Sequence, residues 1–249
     1  MTKPHPIVHI ENFSLTIGEK HIVKQLDFDV YPGEVFAFLG SNGSGKTSTI
    51  RSLLGIYQAT TGKLLVDGAP LTPETASIVG YLPEERGLYT RSKVLDTMIY
   101  FGELKGMQRE DAKAFSLAFL ERVELADKAN TKIKKLSGGQ QQKVQLGVAI
   151  MGNPKLLILD EPTKGLDPVN RKLLLDIVDE LQQSGTSVIY ITHLMEEVER
   201  LADRLLILKD GKARAYGTVA DVKKEFKSKS IEDIFVQIYN EKSTEVAHV

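Results

Sequence analysis

The stretch Gly40-Ser-Asn-Gly-Ser-Gly-Lys46-Thr47 decides how this chain is interpreted, because it has the pattern G-x-x-x-x-G-K-[ST]. Glycines in such a loop let backbone N–H groups approach an anion that side chains would otherwise block. Lys46 is expected to contact the β- and γ-phosphates of a nucleotide, and the Thr47 hydroxyl to ligate Mg²⁺. The residues expected to bind nucleotide are Gly40, Ser41, Asn42, Gly43, Ser44, Gly45, Lys46, Thr47 and Ser48.

The segments on either side of this loop fit the same role. Residues 34–39 (Glu-Val-Phe-Ala-Phe-Leu) are largely apolar and predict a buried strand, and residues 47–54 predict a helix. Because a helix N-terminus favours negative charge, a loop between this strand and this helix is suited to bind phosphate.

Composition restricts the classes of function. The 249 residues suffice for one large α/β domain or two small ones. A net charge of −1 and scattered Lys and Arg residues give no reason to expect a nucleic acid partner. The chain has no Cys, which excludes disulfides and thiolate metal sites. No secretory signal is evident, and no apolar run approaches the roughly 20 residues that cross a membrane. Any function at a membrane is therefore expected to need a separate partner protein.

Strand patterns lie in two parts of the chain. Leu26, Phe28 and Val30 alternate with polar residues, which predicts a half-buried strand antiparallel to residues 7–17. Asp210-Gly211 predicts the turn of a hairpin. Further strands are predicted over residues 63–68, 77–82, 155–160, 186–191, 204–208 and 212–216.

The segment from about Ser92 to Gly152 has only helical patterns. Apolar residues recur there at helical spacing. The two sets are Val94, Met98, Phe101 and Leu104, and then Ala114, Leu117, Ala118 and Leu120. A helical subdomain is therefore expected between two halves of a mixed α/β region.

These patterns predict an α/β fold in a single domain over residues 1–249. Residues 1–84 and 154–220 are expected to form a nucleotide-binding core, which has a parallel sheet and an N-terminal antiparallel β region. Residues 85–153 form the inserted helical subdomain, and residues 221–249 form a helical tail.

Two carboxylates, Asp160 and Glu161, follow an apolar strand directly. Ligands of open α/β sheets bind at the C-terminal ends of the strands. Asp160 is therefore placed to hold Mg²⁺, directly or through water, and Glu161 to orient and deprotonate an attacking water.

The pentapeptide Leu136-Ser-Gly-Gly-Gln140 predicts the start of another helix. Ser137 and Gln140 have the spacing of a capping box. Capping does not explain Gly138 and Gly139, since glycine is about 1 kcal/mol worse than Ala inside a helix. Bare backbone at a positive helix end suits a second contact with phosphate.

Taken in order, these motifs resemble those of ATP-binding cassette (ABC) ATPases. The resemblance covers about residues 7 to 220, and the pentapeptide makes it far more specific than a phosphate loop alone. It implies a P-loop NTPase (RecA-like) fold, ATP and Mg²⁺ as ligands, and ATP hydrolysis. The segments that carry it are Gly40–Thr47, Leu136–Gln140, Leu156–Glu161, Gly165–Asp167 and Thr192-His193.

The resemblance also implies that two copies pair head to tail, and a homodimer is expected. ATP at Gly40–Thr47 of one copy would be covered by Ser137–Gln140 of the other. His193 would be catalytic together with Glu161, contacting the γ-phosphate while polarised against that carboxylate. Asp167 would cap its helix and lie at the seam between the copies.

Two positions depart from the usual pattern of the family. Where an aromatic residue usually stacks on adenine, this chain has Ile17, so adenine would rest on an aliphatic side chain or on a neighbour such as Phe13. Where Gln usually follows Pro, the chain has Glu84. Glu84 would either ligate Mg²⁺ more strongly than an amide does or pair with Arg86 and stay away from the metal.

Residues 84–89 (Glu-Glu-Arg-Gly-Leu-Tyr), with the helical segment after them, also resemble ATPases of ABC-2 type exporters. The resemblance implies an integral membrane permease as partner, with a short helix of that subunit in the groove beside residues 87–92. The chain would then be cytoplasmic and peripheral on the inner face of the membrane.

Two other classes of protein remain open on the sequence. A soluble cassette ATPase of DNA repair, chromosome upkeep or translation usually has long coiled coils or two cassettes, and neither pattern is evident here. A small-molecule P-loop kinase would not need Ser137–Gln140 and would require an acceptor for its activity.

Overall fold

Two β-sheets and a set of α-helices form the fold over residues 5–85 and 87–240, the part of the chain that the computed structural model describes. The smaller sheet has three strands and the larger sheet six. Arg86 and residues 241–249, the end of the expected tail, lie outside the described residues.

The smaller sheet is antiparallel and has the strand order β2-β1-β4. Its strands are β1 (Val8–Ile17), β2 (Lys20–Val30) and β4 (Thr61–Val66). The expected pairing of residues 7–17 with the strand that holds Phe28 is confirmed, since Ile10 lies opposite Phe28 in the register. Alternate side chains of this pair are buried, as the sequence pattern predicts.

The larger sheet has the order β5-β6-β7-β3-β8-β9. Strands β5, β6, β7, β3 and β8 are parallel to one another. Strand β9 is antiparallel to β8 and is joined to it by the expected hairpin at Asp210-Gly211. The strands are β3 (Val35–Gly40), β5 (Val79–Leu82), β6 (Leu156–Asp160), β7 (Ser187–Ile191), β8 (Arg204–Lys209) and β9 (Lys212–Thr218).

Strands β3, β6 and β7 are buried along their whole length, as continuous apolar runs predict for parallel strands with both faces covered. Parallel strands end at a common edge of their sheet. The residues that follow Gly40, Asp160 and Ile191 are therefore brought to one edge, although they are far apart in sequence.

Eight α-helices are present in the described ranges. No helix of this part of the chain combines the length and apolar surface that crossing a bilayer requires. The helices are α1 (Lys46–Leu53), α2 (Val94–Leu104), α3 (Arg109–Arg122), α4 (Gly138–Ile150), α5 (Pro168–Gln183), α6 (Met195–Leu201), α7 (Val219–Glu225) and α8 (Ile231–Asn240). Asp167 caps α5 by accepting a hydrogen bond from the backbone N–H of Asn170, as expected.

Helices α2 to α4 lie between β5 and β6 in the chain, and of the residues at helical spacing in α3 only Leu120 is buried. Ala114, Leu117 and Ala118 are exposed. The buried face includes Ser116 and Phe119, and the Ser116 hydroxyl donates to a carbonyl of its own helix. Because polar Ser116 interrupts the apolar pattern of the buried face, the apolar alanines give the wrong indication of which face is buried. Leu104 of α2 is likewise 63% exposed.

The larger sheet is covered on both faces. On one face Phe36 of β3 stacks on Phe28 of the smaller sheet, with the ring centroids 5.3 Å apart. On the other face the helical subdomain packs against buried residues of β6 and β7. Helix α8 completes this face by packing Ile234 and Ile238 near Leu39 of β3.

Lys105, just after α2, closes the end of α4. Its ammonium group donates hydrogen bonds to the carbonyl oxygens of Val148, Ala149 and Met151, at 2.8, 2.7 and 3.2 Å. The last carbonyls of a helix have no partner within the helix, so this side chain satisfies groups that would otherwise be unpaired. Burial lowers the pKa of Lys105 to about 8 from its ordinary 10.5.

We expect Lys105→Met to lower the free energy of unfolding by about 2–4 kcal/mol near pH 7, because three carbonyls lose their donor. Lys113→Met, at an exposed position of α3, is the matched control and should have little effect. Lys105 loses its proton at a lower pH in the folded protein than in the unfolded chain. Wild type should therefore gain stability over Lys105→Met as the pH rises from about 8 towards 10.5. Equal urea midpoints for the two variants would contradict the capping role.

Candidate nucleotide-binding site

The loop from Gly40 to Thr47 depends on three glycines. Gly43 and Gly45 have φ angles of 78° and 112°, in the left-handed region that glycine adopts without strain. At Gly40 an added Cβ would lie 2.6 Å from the carbonyl oxygen of Leu208 and 2.5 Å from the Ser44 hydroxyl. The loop is therefore packed closely against β8, and its N–H groups at the start of α1 have no acceptor within the helix.

Lys46 lies folded over this loop. It is 7% exposed, and its Nζ donates to the carbonyl oxygens of Gly40 and Ser41 at 2.7 and 3.1 Å. Burial lowers the pKa of Lys46, and the nearby carboxylates of Glu161 and Asp160 oppose that change. The amine is thus held where a phosphate approaching the loop would meet it.

A cavity of about 370 Å³ opens beside the loop. Its lining combines the phosphate loop, the carboxylates at the end of β6 and two side chains of β2. The residues that line it are Lys20, Ile22, Asn42, Gly43, Gly45, Lys46, Thr47, Ser48, Glu84, Asp160 and Glu161. The sequence motifs around Lys46 and Asp160 therefore meet in one cleft.

Thr47 and Asp160 contact each other across the cleft. The Thr47 hydroxyl donates to Oδ2 of Asp160 at 3.1 Å, and burial raises the pKa of this 1% exposed carboxyl to about 6. A hydroxyl and a carboxylate oxygen are ligands that suit Mg²⁺. No group of three His, Cys, Asp or Glu residues in the described part of the chain could hold a metal. Mg²⁺ here would therefore need phosphate or water oxygens as further ligands, which is its usual mode of binding.

Glu161 and His193 form a pair at the same edge. Nδ1 of His193 lies 2.9 and 2.8 Å from the two carboxylate oxygens of Glu161. Since an ionised carboxylate only accepts hydrogen bonds, Nδ1 is the nitrogen that donates to Glu161, and Nε2 is not engaged in this contact. Glu161 has a φ of 50°, and its N–H donates to the carbonyl oxygen of Ile191 at 2.9 Å. This left-handed residue turns the chain sharply where β6 ends.

A second carboxylate, Glu197 of α6, holds the segments that carry this pair. It is 1% exposed and accepts hydrogen bonds from Thr163 at 2.7 Å, Tyr190 at 2.9 Å and Thr192 at 3.1 Å. Burial and this carboxylate keep the pKa of Tyr190 well above its ordinary value, so its hydroxyl donates. Because Thr163 follows Glu161 by two residues and Thr192 precedes His193, Glu197 ties the two loops together. Glu197 was not identified from the sequence as part of the site. Its position only four residues after His193 could have indicated that it lies close by.

Glu84 lies at the mouth of the cavity in an arrangement that the sequence did not suggest. Its Oε1 accepts a hydrogen bond from Nζ of Lys164 at 2.7 Å. The expected alternative partner, Arg86, lies outside the described residues. Lys164, three residues after Glu161, therefore supplies a positive charge beside the carboxylate that replaces the usual amide.

Phe13 cannot serve as the adenine platform. It is completely buried between the two sheets, so this alternative was wrong. Ile17 is 48% exposed and pairs with Lys20 at the β1–β2 turn. Lys20 and Ile22 line the cavity, which places β2 rather than Phe13 at the mouth of the cleft.

Ser137–Gln140 are not among the residues that line this cavity. The capping box itself is confirmed: Ser137 accepts from the N–H of Gln140 at 3.2 Å, and the Gln140 side chain accepts from the N–H of Ser137 at 2.9 Å. A Cβ at Gly139 would lie 3.1 Å from Leu166, next to Asp167. Residues Ser137–Gln140 therefore lie beside the loop that caps α5 and outside the cleft of their own chain.

The hairpin turn between β8 and β9 supports the phosphate loop from behind. The N–H of Gly211 donates to the carbonyl oxygen of Ser44 at 3.2 Å, and its own carbonyl accepts from Lys24 at 2.8 Å. An added Cβ at Gly211 would collide with the carbonyl oxygen of Ile22. The turn is thus wedged between the loop and β2.

This combination of a parallel sheet, a glycine-rich loop between a strand and a helix, and paired carboxylates at the end of another strand of the same sheet defines a P-loop NTPase. A model of the ABC transporter family matches residues 23–164. The chain belongs to the ABC transporter family, as one of its ATP-binding proteins.

Three relatives and one solved structure support this assignment. An uncharacterised ABC transporter ATP-binding protein of Methanocaldococcus jannaschii is 45% identical over 217 residues, 87% of this chain and 79% of that protein. A linearmycin resistance ATP-binding protein of Bacillus subtilis is 37% identical over 219 residues, 87% of this chain and 70% of that protein. Nod factor export ATP-binding protein I of Paraburkholderia xenovorans is 36% identical over 218 residues, 86% of this chain and 71% of that protein. A solved ATP-binding subunit of an ABC transporter has a TM-score of 0.88 at 25% identity, covering 94% of this chain and 99% of that chain.

The buried carboxylate predicts a change in stability. Glu197→Ala should lower the free energy of unfolding by about 2–4 kcal/mol, because three buried hydroxyls lose their common acceptor. Glu196→Ala, at the neighbouring residue whose side chain is 70% exposed, should cost less than about 1 kcal/mol. Urea unfolding of both variants measures the difference, and equal losses would show that the Glu197 cluster does not stabilise the site.

Proposed function

We propose that this protein is the ATP-hydrolysing subunit of an ABC exporter, and that it works as a homodimer bound to a separate membrane permease. The observation that carries the proposal is the contact of His193 with Glu161, a carboxylate that lines the same cleft as Lys46, Thr47 and Asp160. In this proposal Glu161 is the base and His193 the group that orients it, beside a cleft suited to phosphate and Mg²⁺.

In the proposed reaction the phosphates of ATP lie on the N–H groups of residues 40–48, and Lys46 turns from the loop carbonyls to the β- and γ-phosphates. Thr47, Asp160 and Glu84 would hold Mg²⁺, which when bound neutralises negative charge on the phosphates. Glu161 orients water for in-line attack and accepts its proton.

His193 would act beside Glu161. With its proton on Nδ1 shared with the carboxylate, the imidazole keeps Glu161 in one orientation. Nε2 is then the nitrogen available towards the γ-phosphate, which would require this nitrogen to be protonated or the phosphate to supply the proton.

The second copy completes the site in this proposal. Ser137 is exposed at the start of α4, and Gly138 and Gly139 leave the backbone bare at a positive helix end. Because Ser137–Gln140 do not line the cleft of their own chain, they are free to cover ATP bound by a partner copy. Asp167 would then lie at the seam between the two.

An exposed aromatic cluster supports the proposed membrane partner. Tyr89 and Tyr100 are 54% and 44% exposed, and their rings pack on each other and on Phe101 with centroids 5.6–5.8 Å apart. They border a groove of about 300 Å³ with Ser92, Asp96 and Thr97. A groove that combines exposed aromatic rings with polar groups suits a short helix of a permease, which would keep the chain at the cytoplasmic face of the membrane.

Export is the direction that two relatives favour through what they are named for, Nod factor export and linearmycin resistance. They are similar to this chain over 87% and 86% of its length. The proposal extends that direction of transport to this chain.

The assignment of the base predicts that Glu161→Gln binds ATP and fails to hydrolyse it. The amide cannot accept the proton of water, so kcat should fall by about a hundredfold or more. With hydrolysis blocked, ATP should hold two copies together, and gel filtration with Mg²⁺ and ATP should show a dimer. Phosphate release measures the rate.

Glu196→Gln is the control for this substitution, because it makes the same change at an exposed glutamate. It should hydrolyse ATP as wild type does. Hydrolysis by Glu161→Gln at the wild-type rate would show that Glu161 is not the base. A Glu161→Gln protein that stays monomeric with ATP bound would show that the site is not shared between two copies.

The groove predicts the partner. Tyr100→Glu should abolish co-purification with a detergent-solubilised multi-span membrane protein, because it removes an exposed aromatic ring and adds a second carboxylate to the groove beside Asp96. Leu117→Glu, at an equally exposed position (43%) on α3, should keep the complex. Retention of the membrane protein by Tyr100→Glu would show that the groove does not bind the permease. Purification of wild type with ribosomes or DNA instead would contradict the role in an exporter.

A further inference from the structure

The C-terminal helix α8 reaches the phosphate loop through one side chain. The hydroxyl of Tyr239 accepts a hydrogen bond from the backbone N–H of Ser41 at 2.6 Å. The same hydroxyl donates to the carbonyl oxygen of Leu208 at 2.7 Å. Tyr239 therefore joins the start of the loop to the end of β8.

The peptide group held by Tyr239 is also the one that holds the lysine. Its N–H belongs to Ser41, and its C=O belongs to Gly40, which accepts from Nζ of Lys46 at 2.7 Å. Because the N–H and C=O of a trans peptide point in opposite directions, a single rigid plane lies between the tyrosine and the lysine. Rotation of this plane would move both hydrogen bonds together.

Tyr239 is itself well fixed. The ring of Phe235 stacks on it with a centroid distance of 4.3 Å. Ile234 and Ile238 of the same helix are buried beside Leu39, the residue just before Gly40. Lys209 donates to the carbonyl oxygen of Ile238 at 2.8 Å. The hydroxyl is therefore presented to the loop by a packed helix.

We propose that Tyr239 is a positioning residue for nucleotide binding, which fixes the Gly40–Ser41 peptide and through it the loop and Lys46. The tail thereby becomes part of the nucleotide site, although it contributes no group that touches the phosphates. This inference rests on the proposed nucleotide site at Gly40–Thr47.

The chain offers a matched control for the test. The hydroxyl of Tyr216 also bridges backbone groups, accepting from the N–H of Asp29 at 2.9 Å and donating to its carbonyl oxygen at 3.3 Å. Tyr216→Phe thus removes the same chemical group from β9, where its hydroxyl bonds to Asp29 and not to the phosphate loop.

Full-length Tyr239→Phe should bind Mg²⁺·ADP about threefold to tenfold more weakly by calorimetry, and its KM for ATP should rise by a similar factor. Its thermal midpoint without nucleotide should shift no more than that of Tyr216→Phe, and Tyr216→Phe should bind as wild type does. Hydrogen exchange of the Ser41 amide should be faster in Tyr239→Phe alone.

Unchanged binding in Tyr239→Phe, or an equal loss in both variants, would overturn the inference, because either result leaves the hydroxyl a merely structural role. Lys46→Ala separates this outcome from failure of the site itself. If Lys46→Ala binds nucleotide as wild type does, the proposed site is wrong and the inference falls with it. If Lys46→Ala loses binding while Tyr239→Phe keeps it, only the inference is wrong.

Discussion

The parallel pairing of β6, β7 and β3 is the constraint on which the site depends. It places the carboxyl ends of three strands at one edge, so that Lys46, Asp160 and His193 converge from positions far apart in sequence. The hydrogen bond from Thr47 to Asp160 spans β7, which lies between their strands. A register shift at either interface would separate the phosphate loop from its carboxylates, because side chains of a shifted strand move to the other face.

Bringing charged groups to a buried edge has a cost that the surrounding contacts offset. Burial raises the pKa of Asp160 and lowers that of Lys46, because it disfavours the charged form of each group relative to water. Their mutual attraction opposes this, as do the loop carbonyls on Lys46 and the hydroxyl of Thr47. Glu197 adds a third buried carboxylate, yet its three hydroxyl donors satisfy it. These contacts offset part of the cost of burying polar groups in and beside the cleft.

The sequence predicts features that depend on local patterns. The phosphate loop, the buried strands and the caps at Ser137 and Asp167 follow from glycine geometry, apolar runs and side-chain spacing, and the structure has each of them. Features that depend on distant partners escaped prediction. Lys164 beside Glu84, the burial of Phe13 and the hydrogen bond from Ser41 to Tyr239 join residues that only the tertiary fold brings together. The exposed alanines of α3 show that a helical period of small residues does not identify its buried side.

The turn at Gly211 has a consequence for engineering this chain. Hairpin turns on a protein surface are usually good places to insert a peptide tag or a second domain. Here the turn is bonded to Ser44 and Lys24 and leaves no room beside Ile22, so an insertion would push directly on the phosphate loop. The turn at Gly185, where an added Cβ would meet open space, offers a graft site that leaves the nucleotide cleft alone.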